Sequence, residues 1–121
     1  MRTHIAPPDV VIWRGWANEF HQYARYKNEK NAGEPYHNAM RAYSKALYAR
    51  SVRYGFVTTE TMEKGFANSA KVLVLPQAMY LSDRDAAAIR AWRTAKPGRV
   101  ILAESGLGAY DSDTNRFSAT V

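Results

Sequence analysis

The sequence predicts one α/β domain built on a parallel sheet with right-handed crossovers. Short β-branched runs alternate with helical stretches along most of the chain. In Lys71-Val72-Leu73-Val74-Leu75-Pro76 the residues after Lys71 are apolar without a break, as a strand covered by helices on both faces requires. And 121 residues with 46% hydrophobic content supply the core of one compact domain, too little for two.

The first strand is expected over Asp9-Val10-Val11-Ile12-Trp13, bounded by Pro7-Pro8 and Gly15. Asn18 to Asn31 is polar and aromatic, with Phe20, Tyr23 and Tyr26, and reads equally as a helix or an ordered loop. Pro35 suits a first helical turn. Tyr36, Met40, Tyr43 and Leu47 follow at spacings of four, three and four, an apolar stripe that predicts an amphipathic helix to about Arg53. Gly55 ends it, Phe56 to Thr59 gives a second strand, and Glu60 to Phe66 a helical turn. After the strand at 71–75, Ser82 and Asp85 form a capping pair. The Ser82 hydroxyl can accept a backbone N–H three residues on, while the Asp85 carboxylate reaches back. That helix should run to about Ala95 with Ala88, Ile89, Trp92 and Ala95 inward, and Lys96-Pro97-Gly98 stops it. Arg99 to Ala103 is the fourth strand. Ser105-Gly106-Leu107-Gly108 opens a loop that continues through Asp113, leaving 113–121 as a loose tail of a single domain spanning 1–121.

Composition narrows the chemistry. Lys and Arg number 17 against 11 acidic residues, a formal charge of +6, and the excess lies almost wholly in residues 1–55. Such a balance tolerates polyanionic partners without requiring one. Without cysteine there is no disulfide, thiolate metal site or thiol nucleophile, a usage compatible with a reducing compartment. Residues 1–8 lack the apolar core of a secretory signal, and no run approaches the roughly 20 apolar residues of a membrane span. The expectation is a cytoplasmic protein outside the membrane.

The grammar of residues 71–111 carries a resemblance. Strand-ending Pro76, Leu81-Ser82 at a helix start, Pro97-Gly98 before a strand, and Ser105-Gly106-Leu107-Gly108-Ala109-Tyr110-Asp111 after it are together similar to the trimerisation (middle) domain of family 42 β-galactosidases. Upstream, the Tyr36 to Gly55 helix and the Phe56-Val57 strand resemble that domain's first crossover and second strand. The resemblance covers roughly residues 8–112. It implies a three-layer flavodoxin-like fold related to class I glutamine amidotransferases, with about four parallel strands, and a role in oligomerisation within carbohydrate metabolism. The chain departs from the pattern at Pro97, where the family has a glycine, and it stops where the family domain continues, so the fold is expected to be truncated.

Catalysis finds little support. Glycoside hydrolysis needs two carboxyl groups across a sugar, and in the resembled enzymes that pair sits on a separate barrel. Glu104, just past the fourth strand, is the best single carboxylate, with a solvated or loop-capping role as the plainer reading. Amidotransferase chemistry needs the missing cysteine, and Ser105 lacks a Gly-x-Ser-x-Gly elbow. The backbone N–H groups of Ser105, Gly106 and Gly108 could cradle a phosphate, although a flexible turn explains two glycines as well. His4, His21 and His37 are scattered, so no metal site and no cofactor are expected.

Two non-catalytic roles remain. In the 2-1-3-4-5 strand order of flavodoxin-like sheets, the strand at Val100 would lie beside a fifth strand that this sequence lacks. An open apolar edge invites another chain. Val100, Ile101 and Leu102, with Tyr43 and Leu47, are therefore the expected interface of a homo-oligomer or of a larger glycoside hydrolase. The alternative is a polyanion or nucleic-acid binding module using Arg41, Lys45, Arg50 and Arg53 of the tyrosine-rich helix. A third reading makes the chain a subunit of a hydrolase acting on β-galactosides.

Overall fold

The computed structural model describes residues 7–25, 34–104, 107–111 and 116–117. Four parallel strands form the central sheet: β1 (Val10–Trp13), β2 (Tyr54–Val57), β3 (Val72–Leu75) and β5 (Val100–Ala103). Their order across the sheet is β2-β1-β3-β5. That is the doubly wound order the sequence leads one to expect, and β5 stands at the end of it among the described residues.

Side chains alternate across the sheet as the period of two demands. Val10 and Ile12 of β1 and Val74 of β3 face α2 (Glu34–Ala49), whose Tyr36 and Met40 are buried against them while Tyr43 and Leu47 pack at the margin. Val11, Trp13, Leu73 and Leu75 point the other way. They meet Met62 of α3 (Thr59–Glu63) and Ile89 and Trp92 of α4 (Asp83–Ala95). The result is a three-layer α/β fold.

Local chemistry fixes the boundaries. Ser82 caps α4 as expected: its Oγ accepts the Asp85 N–H at 3.0 Å, and the Asp85 carboxylate accepts the Ser82 N–H at 3.0 Å. A second capping box opens α3, where Thr58 and Thr61 play the same two parts. On α4, Ile89 and Trp92 are buried, whereas Ala95, expected inward, is exposed because the last turn overhangs the core.

The polar stretch after β1, which the sequence leaves open between helix and loop, is a helix, α1 (Trp16–Arg25). Two features depart from the sequence expectation. α2 stops at Ala49, not Arg53: Ser51 takes a left-handed φ of 56°, and the Val52 N–H turns back to the Leu47 carbonyl at 3.0 Å. This early exit lets β2 begin at Tyr54, opposite Val10 in the register of β1. Finally, β4 (Tyr80–Leu81), β6 (Tyr110–Asp111) and β7 (Arg116–Phe117) make a second small sheet, with β7 inside the stretch read as a tail. Strands of two residues leave no periodicity for a sequence reading to find.

No helix among the described residues is long and apolar enough to cross a membrane.

Candidate functional site

The carboxyl ends of parallel strands are where such sheets place ligands. Here they carry a polar network. After Pro76, Gln77 adopts φ 46°, which turns its carbonyl toward α1. That carbonyl accepts the Asn18 Nδ2–H at 3.0 Å and a second bond from the Gln22 side-chain amide. Asn18 Oδ1 in turn accepts the Tyr80 N–H at 2.9 Å and the Gln22 amide at 3.2 Å. Asn18 and Gln22 are buried, and the bonds explain why two amides can be. Sequence reading missed both residues.

Glu104 belongs to this network. Its Oε1 accepts the Tyr43 hydroxyl at 3.2 Å and its Oε2 accepts the Gln77 side-chain amide. Burial pushes the Tyr43 phenol above its ordinary range, and the charge and hydrogen bond of Glu104 add to the rise. One carboxylate thus ties α2, the turn after β3 and the end of β5 together. Its bonded neighbours are a phenol and an amide, and among the described residues no second carboxyl group bonds beside it to share a glycosidic bond.

Of the loop read as a phosphate cradle, Ser105 and Gly106 lie outside the described residues. Gly108 has φ 62°, and its N–H donates to the Ala78 carbonyl at 2.8 Å, so that donor is already spent. His21 stacks on Tyr80, which stacks on Tyr110. His37 Nε2 lies 3.8 Å from Glu19 Oε1. Among the described residues no three His, Cys, Asp or Glu side chains converge as a metal site would need.

The expected interface separates into two parts. Val100 and Leu102 are 54% and 48% exposed. They pair with Val72 and Val74 and so share the α2 face of the sheet, where α2 covers β1 and β3 but not β5. Ile101, on the opposite face, packs into the core shared with α3 and α4. Tyr43 and Leu47 are half-buried against β1 and β3 rather than presented outward.

The basic set divides as well. Arg41 and Lys45 line an open groove along α2. Arg53 is drawn away to Asp9, Nη2 to Oδ2 at 3.0 Å, and Arg50 sits in the turn after the helix. A further surface was legible and overlooked: Trp16, Phe20 and Tyr23 recur at four and three residues on α1 and are all exposed, Trp16 by 82%. With Glu19, Tyr36 and His37 they line a cleft of about 290 Å³. Burial raises the Tyr36 phenol, the Glu19 charge raises it further, and Arg14 works against both.

No known protein family and no curated protein matches the chain. Among solved structures, a β-galactosidase from Bifidobacterium adolescentis superposes with a TM-score of 0.67 at 19% identity. The match covers 93% of this chain and 47% of that one. The chain is therefore similar to part of a β-galactosidase in fold, and spans about half the length of that protein.

Proposed function

We propose that this chain is an assembly domain of the kind found in β-galactosidases, joined to a second copy of itself through the uncovered face and edge of β5. One observation carries the reading. Ile101 is packed inside while its neighbours Val100 and Leu102, both large and apolar, stand about half exposed at the end of a parallel sheet. Covering both would contribute on the order of 2 kcal/mol per copy, and pairing of the β5 edge would satisfy its open backbone groups.

The fold similarity to part of a β-galactosidase supports the wider setting, a non-catalytic part of a larger glycoside hydrolase, and the family 42 resemblance supports trimerisation as the form of assembly. Glu104 acts here as a tie between elements, so hydrolysis of a chromogenic galactoside would depend on another domain. Sedimentation equilibrium at micromolar concentration tests the proposal. The expected result is a mass that is a multiple of 13.7 kDa, reduced to the monomer by Val100→Lys with Leu102→Lys while the circular dichroism spectrum is unchanged. A folded wild-type monomer at that concentration, or a double variant that still associates, overturns it.

A further inference from the structure

On the other flank of the molecule, between α2 and the outer strand β2, runs an open groove of about 500 Å³. Arg41, Lys45 and His37 line it from the helix, and among the described residues no carboxylate lines it. Several other cations are held by partners: Arg84 by Glu60 and Glu63, Arg53 by Asp9, and Arg99 by the carbonyls of Trp92 and Asn68. Arg41 and Lys45 pair with no carboxylate among the described residues. Like charges one helical turn apart repel and slightly weaken the helix, so nothing in the folding of α2 calls for them.

Aromatic rings share the groove. Tyr48 is 79% exposed and Phe56 is 50% exposed, while Tyr54 meets Phe56 edge to face at 6.1 Å and holds that ring in place. Three rings beside unpaired cations, open along their length, match the needs of a strand that carries both phosphates and flat unpaired bases. An acidic peptide would satisfy the cations alone. Its apolar side chains gain most in closed, desolvated pockets, and this groove is open. A duplex keeps its bases stacked on each other, out of reach of the rings.

We propose that the groove between α2 and β2 binds single-stranded nucleic acid, with phosphates on Arg41 and Lys45 and bases stacked on Tyr48 and Phe56. The site is independent of the β5 surface and of the assembly it supports.

Fluorescence anisotropy with a labelled thymidine oligonucleotide of about 12 nucleotides tests it on the intact chain. Two phosphate contacts on a single strand give a log–log salt slope of about −1.4, hence roughly 25-fold weaker binding on raising salt from about 20 to about 200 mM. Arg41→Ala with Lys45→Ala should flatten that slope and weaken low-salt binding about tenfold or more. Tyr48→Ala or Phe56→Ala should weaken binding at least about fivefold with the slope retained, and Tyr48→Phe should restore it. All four side chains are exposed, and Lys45→Glu repeats the charge test should the double variant fold poorly. The proposal fails if about 100 µM protein leaves the oligonucleotide unbound at low salt. It fails equally if ring substitutions change nothing, which leaves only ion exchange. Displacement of the strand by polyglutamate at equal concentration would also overturn it and assign the groove to an acidic peptide.

Discussion

On the side of the sheet that faces α3 and α4, Val11, Trp13, Leu73 and Leu75 are closed over by Met62, Ile89 and Trp92, and even the last strand sends Ile101 into that layer. On the opposite side the cover among the described residues is α2. It reaches β1 and β3, leaving Val100 and Leu102 of β5 about half exposed. The same four strands thus have one finished face and one that ends a strand too early. The first is where the core is packed, and the second is the surface on which the proposed assembly rests.

The sharpest way to break this contrast is to open the finished face. Trp92 fills the layer beneath β3, donates its Nε1–H to the Ala67 carbonyl at 2.9 Å, and lies under the Arg99 guanidinium at 4.7 Å from the ring centre. Trp92→Ala should cost about 3–5 kcal/mol in urea unfolding. A loss near that of a surface residue would mean this face does not hold the fold.

A smaller effect is expected at the network over the strand ends. Asn18→Ala removes a donor to the Gln77 carbonyl and the acceptor that the Tyr80 N–H uses, so unfolding should become easier by about 1–3 kcal/mol. Amide exchange at Tyr80 should rise with it. An unchanged exchange rate would show that water replaces the side chain. Least of all, Leu102→Ser should change the stability of the isolated chain by about 0.5 kcal/mol or less, while weakening the proposed association. A cost several times larger would place Leu102 in the folding core after all.

What the sequence discloses follows the length scale of the signal. The unbroken run at 72–75, the Tyr36-Met40-Tyr43-Leu47 stripe and the Ser82/Asp85 cap are each set by nearest neighbours in the chain, and each appears in the structure where the residues put it. The end of α2 was misplaced because register with β1, a long-range pairing, decides where β2 begins. Of the site, Glu104 could be found by its position after a strand. Its bond from Tyr43 spans 61 residues, and the Asn18 and Gln22 bonds to Gln77 span 59 and 55. No spacing rule reaches so far. The α1 aromatics were a different case: Trp16, Phe20 and Tyr23 have helical spacing, but the polar residues between them masked the period. The four-cation set mixed residues that share a helix face with residues past its end.

Gly15 joins β1 to α1, and a Cβ there would sit 2.0 Å from the ring of the fully buried Trp13. Neither atom has anywhere to retreat, so the indole and the missing methyl form a single mutational unit. Substitution at either site alone is a dead end or a void, and only a paired exchange, a smaller residue at 13 with a side chain at 15, could let this crossing drift.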